Sequence, residues 1–323
     1  MRLMRIRVAL AFLLIAPSLV IARLGGQDAA PPAWAYPVMD PGFQRPPDDG
    51  RKHRVPGSDK EFTLTEINDA FNPPDWYPGE HPPMPQAVAH GRRPDVRACG
   101  QCHMPHGLGH PESSGLAGLP ADYLEQQMID YKAGRRKSAV PARAASMITI
   151  AGAATDAEVR EAAEYFSRLK ATKWIRVVES DTVPKTFVGA GNMRHATPNG
   201  GTEAIGQRII EIPENSELAE MRDSHSGFVA YVPIGAITRG QALVAATSDG
   251  KERCAGCHGP DLTGVGNTPG LAGRSPIYLA RQLMDFQRGA RNGVYASLMT
   301  EAVATLSERD IIDITAYLAS LAP

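Results

Sequence analysis

One unit occurs twice in this sequence, and a chain built that way is constrained to fold as two similar bodies. The pentapeptide CGQCH, Cys99–His103, returns as CAGCH, Cys254–His258, at an offset of 155 residues. At the same offset GLAGLPADYLEQQMIDYKAGRR (115–136) falls on GLAGRSPIYLARQLMDFQRGAR (270–291). Tyr123 and Leu124 meet Tyr278 and Leu279, while Gln127, Asp130, Gly134 and Arg136 meet Gln282, Asp285, Gly289 and Arg291. The loops beyond differ by three residues, and the match resumes at an offset of 152. There Met147 meets Met299, Thr155 meets Ser307, and Tyr165 meets Tyr317.

Each copy reads as C-x-x-C-H, a glycine-rich loop, a helix, a loop with a methionine, and a final helix. The middle helices are expected from Ala121 to Ala133 and from Pro276 to Arg288. Thr155 with Glu158, and Ser307 with Asp310, predict capped starts for the final helices. Val159, Ala162, Phe166 and Leu169 then recur at helical spacing, as do Ile311, Ile314, Leu318 and Leu321. No strand pattern shows inside either copy. A helical body of under about a hundred residues buries little core of its own, so a bound group must supply the centre.

The four cysteines, Cys99, Cys102, Cys254 and Cys257, form two C-x-x-C pairs with a histidine directly after each. That is the attachment signal of c-type haem. One helical turn aims two thiols and an imidazole at one porphyrin, and no cysteine is left for a disulfide. A redox-active dithiol would need a βαβ context that the sequence lacks. The stretch ACGQCHMPHGLGHP (98–111) alone also allows zinc, with His103, His106 and His110 beside the thiols. The second copy has Asp261 and Val265 where the first has His106 and His110, so only His103 has a counterpart, His258. His106 and His110 are expected to face solvent.

With CGQCH and CAGCH each followed by the same ordered series, each unit resembles a class I cytochrome c. The chain is similar to exported diheme c-type cytochromes over about half its length, residues 90–170 and 237–322. The resemblance implies a mainly α fold with two tandem cytochrome c domains and two covalently bound haem c groups. Cys99, Cys102, Cys254 and Cys257 would be the thioether links, and His103 and His258 the proximal iron ligands. Met147 and Met299 stand where the family places its sixth ligand, and Met/His ligation raises the potential and closes the iron. Met128 and Met284 would be core residues, and Met104 cannot reach the opposite haem face. The family often supplies the carbonyl that orients the proximal histidine from a proline. Pro269 fits, whereas the first copy has Ser114. Tyr123 and Tyr278 would pack near the haem edges, and Arg136 and Arg291 would either pair with propionates or lie solvated.

The remaining segments divide the chain as 1–25, 26–89, 90–170, 171–236 and 237–323. Arg2, Arg5 and Arg7 before the apolar run Val8–Ala22 predict a signal peptide over 1–25, or an uncleaved anchor. Proline, 27 in all, is concentrated before residue 112. It predicts an irregular arm over 26–89 that wraps the first domain through Trp34, Tyr36, Trp76 and Tyr77. In 171–236, the runs KWIRVVES, GQRIIEIPE and SGFVAYVP predict a small β-rich connector. His195 and His225 within it are expected to be hydrogen-bonded rather than ligating. With 34 Lys and Arg against 35 Asp and Glu, no nucleic-acid footprint exists. The expected role is a periplasmic electron carrier between a dehydrogenase or quinol-oxidising complex and a terminal oxidase or reductase. A dehydrogenase's cytochrome subunit fits equally. Redox proteins would be its partners, with membrane contact only through them or the N-terminal segment. A diheme peroxidase is the alternative, and it needs an open sixth position.

Overall fold

The computed structural model describes residues 30–248, 251–252 and 254–323. The expected signal segment, 1–25, lies outside them. Among the described residues no helix is long and apolar enough to cross a membrane.

Both copies of the repeat fold into the same series of helices. One turn carries Cys99–His103, and its counterpart is Ala255–His258. The middle helices run Ala121–Lys132 and Pro276–Gln287. Each stops just before a glycine in the left-handed region, Gly134 at φ 67° and Gly289 at φ 64°, where a side chain would be strained. The final helices, Asp156–Arg168 and Glu308–Ser320, both open with the expected capping box. Thr155 Oγ1 accepts from Glu158 N at 3.2 Å, and Ser307 Oγ accepts from Asp310 N at 3.1 Å. Their apolar stripes are buried at Ala162, Phe166 and Leu169, and at Ile311, Ile314 and Leu318.

Two expectations need correction here. The methionine segments are helices rather than loops, Ala145–Ala153 and Ala296–Val303. Their alanines, leucine and methionines favour helix, and no glycine or proline interrupts the first two turns of either. A two-residue hairpin, Thr247–Ser248 with Lys251–Glu252, also lies inside the second copy, where no strand was expected. That copy opens with a further helix, Ala236–Ala245, which packs across Glu308–Ser320. The first copy has only Gln86–Ala89 in this place, with Val88 fully buried beside Phe166.

The three β-like runs between the copies form one sheet. Strand Phe228–Val232 lies at its centre, parallel to Ile175–Glu179 and antiparallel to Ile210–Pro213. Glu211 on the last of these is 1% exposed. Its Oε2 accepts from Ser275 Oγ at 2.7 Å and from the backbone of Ile277 at 3.3 Å, tying the sheet to the start of helix Pro276–Gln287. Its Oε1 has no partner. Burial pushes the carboxyl up from 4.5 to about 8, against the pull of the Ser275 hydrogen bond. The folded chain therefore holds a proton there that the unfolded chain loses above 4.5, so stability falls as pH rises towards 8. Urea titrations across that range are expected to show a loss approaching ~1.4 kcal/mol per pH unit. Glu211→Gln should abolish this component, and an unchanged slope in that variant would contradict it.

The proline-rich arm does not simply wrap the first copy. It touches that copy where Ala98 N–H donates to Ala70 O at 3.0 Å. Its aromatic anchors sit elsewhere. Trp34 and Tyr36 pack with Ile277, Met284, Ile311 and Ile312 of the second copy. Trp34 Nε1 donates to Glu308 at 2.7 Å, and Tyr36 OH donates to Asp285 at 2.9 Å. Trp76 and Tyr77 join Met221 of the connector, with Trp76 Nε1 donating to Met221 O at 2.7 Å. The apolar surface these rings needed was offered by the second copy and the connector.

Candidate functional site

A cleft of about 380 Å³ opens in the first copy, and its lining includes Cys99, Cys102, His103 and Met147. Two thiols and the imidazole come from the one-turn helix, and the thioether comes from Ala145–Ala153. Leu119, Leu124, Ile150, Val159 and Phe166 supply apolar walls. This donor set suits a covalently attached haem. Tyr123 and Arg136 line the cleft, and Tyr278 joins them from the second copy. Met128, expected in the core, lines it too, whereas Met284 is a core residue. Met104 is buried, 1% exposed, at a φ of 66°.

The imidazoles of His103 and His258 are oriented alike. His103 Nδ1 lies 2.8 Å from Ser114 O, and His258 Nδ1 lies 2.8 Å from Pro269 O. A carbonyl only accepts, so Nδ1 carries the proton and Nε2 keeps its lone pair for a metal. Replacing proline by serine in the first copy has preserved the bond. Burial lowers the proton affinity of both rings, favouring the neutral ligand form. Burial also pushes the Cys99 thiol up to about 12, with Cys102 adding to the shift. A redox-active dithiol needs the opposite, a depressed value.

In the second copy Cys254 packs with Leu262, Leu279 and Leu318, and Met299 packs with Phe286, Ala296 and Val303. Leu283 and Leu306 touch both groups and join them.

His106 and His110 do not face solvent. The His106 ring meets Trp174 edge-on at 5.1 Å, and the His110 ring meets Phe228 at 6.0 Å. Burial drives both down to about 3, so both are neutral. The connector aromatics that cover them lie some 65 residues or more away, and nothing in the local sequence announces them. Among the described residues no group of three His, Cys, Asp or Glu side chains is placed to hold a metal ion. His195 is buried, stacked on Phe187, with Nε2 3.1 Å from Glu220. His225 stacks on Tyr77 and pairs with Glu80 at 2.8 Å.

Arg136 and Arg291 are not solvated; they are 7% and 9% exposed and meet each other between the copies. Lys137 N donates to Ala290 O and Asn292 N to Arg135 O, both at 2.8 Å, and these bonds are equivalent under the 155-residue offset. Arg136 donates to Gln127, Tyr278 and Gln282 at 3.0, 3.1 and 3.2 Å. Arg291 donates to Gln282, Tyr123 and Gln127 at 3.1, 2.9 and 2.9 Å. The residues that the repeat conserves between its copies therefore build an approximate two-fold junction at the edge of the cleft. Asp285 closes it by accepting from Ala139 N at 2.8 Å.

Sequence reasoning missed Glu112 and Arg143, which also line the cleft. Glu112 Oε2 and Arg143 Nε and Nη2 are buried without a hydrogen-bond partner. The second copy has Asn267 and Tyr295 in these places, so the repeat carries no signal for them.

The cytochrome c family matches residues 237–322. Cytochrome c4 of Azotobacter vinelandii is 29% identical over 232 residues, 69% of this chain and 84% of that protein. The thiosulfate dehydrogenase electron acceptor of Thiomonas intermedia is 26% identical over 230 residues, 70% of this chain and 80% of that protein. Cytochrome c-554(548) of Halomonas halodenitrificans is 40% identical over 77 residues, 24% of this chain and 93% of that protein.

Proposed function

The chain belongs to the cytochrome c family, and from that premise we propose that it is an exported, periplasmic diheme electron carrier. Its two haem domains are 90–170 and 237–323, joined by the connector 171–236 and preceded by the arm. The observation that carries the reading is the repeated C-x-x-C-H, with Cys99, Cys102, His103 and Met147 lining one cleft. Cys99 and Cys102, and Cys254 and Cys257, are the thioether positions. His103 with Met147, and His258 with Met299, would hold the two irons.

A bound haem supplies reversible one-electron chemistry at its iron. The chain's own residues do the rest. Ser114 and Pro269 hold the imidazoles with Nε2 free. Met147 and Met299 would be the second protein ligands to the two irons, and such Met/His pairs favour electron transfer over binding of exogenous ligands. The apolar walls keep water away and set the dielectric. Arg136, which lines the cleft, would offer a cation to a haem carboxylate. Electrons come from a dehydrogenase and pass to a terminal acceptor; the kinship with a protein named as the acceptor of a thiosulfate dehydrogenase supports the first half.

Met147→Ala and Met299→Ala test the reading. Each is expected to remove about half of the methionine-to-iron charge-transfer absorbance of the oxidised holoprotein and to lower one of two potentials. A high-spin haem in the unaltered protein, with turnover of peroxide, would contradict it and favour a diheme peroxidase.

A further inference from the structure

We propose that the first copy takes up a proton together with its electron, and that the carboxyl group of Glu112 receives it, whereas the second copy transfers an electron alone. The inference rests on the carrier reading above. Glu112 lines the first cleft, and its Oε2 is shut off from solvent without a hydrogen-bond partner. Cations reach it from three directions. Arg143 stands just before the Met147 helix, Arg281 on helix Pro276–Gln287, and Arg194 with His195 on strand Arg194–Ala196 of the connector. The arginines are committed elsewhere. Arg143 Nη1 donates to Pro37 O at 3.1 Å, and Arg194 Nη1 donates to Thr186 Oγ1 at 2.9 Å. Arg281 gives Nη1 to Ala35 O at 3.1 Å and Nη2 to Pro111 O. His195 Nε2 lies 3.1 Å from Glu220. Glu112 therefore sits in the field of these cations, with its Oε2 bonded to none of them. Glu211 acts on it from strand Ile210–Pro213.

A carboxyl group so placed is balanced between its two forms. Burial raises its proton affinity, and Arg143, Arg281 and His195 pull it back down. Glu211 keeps its own proton up to about 8 and leaves the field to the cations. A change of one charge tips such a balance, and reduction is that change. When an electron enters the cleft, the Glu112 carboxylate loses the attraction of one positive charge. One O–H bond then forms at Glu112. The electron comes from the donor protein and the proton from solvent, and oxidation returns both. By linkage, the proton favours the electron by the same factor as the electron favours the proton. The second copy has no such group. Asn267 replaces Glu112, is exposed, and donates to Asp122 at 3.0 Å. Tyr295 replaces Arg143 and is 71% exposed.

The test is a redox titration of the holoprotein from about pH 5 to about pH 9, above the ordinary carboxyl range. One of the two potentials is expected to fall as pH rises, because the reduced form then loses the proton it holds. A charge change in the same cleft alters proton affinity about tenfold, so the whole fall is about 59 mV, the value of a factor of ten for one electron. The other potential should stay level. Met147→Ala should shift the sloping potential, and Met299→Ala the level one. Glu112→Gln should abolish the slope with both covalent haems retained, and Glu211→Gln should keep it. The reduced-minus-oxidised infrared spectrum of the unaltered protein reads the same event without a variant: a carboxylic C=O band should appear on reduction. Two level potentials, no such band, or a slope that survives in Glu112→Gln, as it would if Glu211 or a haem carboxylate titrated, overturns the proposal while leaving the carrier reading intact. Absence of covalent haem from the unaltered protein overturns both.

Discussion

Replacing Arg136 or Arg291 by methionine is expected to destabilise the folded chain by about 3 kcal/mol, measured by urea unfolding. Methionine keeps most of the apolar stem and removes the guanidinium. What remains is unfavourable. Without Arg136, Tyr278 OH loses the charged donor beside it, and Gln127 and Gln282 each lose one of two donors. Without Arg291, Tyr123 and the same two glutamines lose theirs. The sites are nearly dry, so water does not replace the lost bonds. Because the arginines share both glutamines, the double variant should cost less than the two single effects added together. Two costs below ~1 kcal/mol that simply add would mean that the junction is a surface contact of ordinary strength.

Gly240→Ala is expected to be as damaging, about 3 kcal/mol, through overpacking rather than lost bonds. Helices Ala236–Ala245 and Glu308–Ser320 cross with the Gly240 backbone against the Asp313 carbonyl and the Tyr317 side chain. A methyl group there would overlap that carbonyl, which belongs to backbone and cannot rotate away. The helices must separate, and the Arg239 fork onto Asp313, with bonds of 2.7 and 2.8 Å, would open with them. The first copy has no matching long helix, so its cleft and haem content should be spared. Thermal unfolding with haem absorbance as the probe checks this. A melting curve unchanged from the unaltered protein would show that the crossing relaxes without cost.

How much of this was legible in the sequence depended on whether a residue's partner was local or distant. Capping boxes at Thr155 and Ser307 and the middle helices were readable because their causes lie within one or two turns. That Cys99, Cys102 and His103 share one cleft wall followed from C-x-x-C-H being itself one turn, and the repeat pointed to Met147, which lines the same cleft together with Met128. The same repeat contained the junction in plain view: tyrosine, glutamine and arginine each recur at one offset. What the offset could not reveal is that equivalent residues touch, since a repeat specifies likeness and not contact. His106 and His110 were misplaced because Trp174 and Phe228, which cover them, come from the connector. The arm was misdirected for the same reason: Trp34 announces burial but not against which surface.

The measurement that bears most directly on the central claim is the covalent haem content per chain by the pyridine haemochrome assay. The unaltered protein is expected to carry two c-type haems. Changing Cys99 and Cys102 together to alanine, or Cys254 and Cys257 together, should leave one in each case. A chain that holds no covalent haem, or whose haem content does not respond to either pair, would contradict the account.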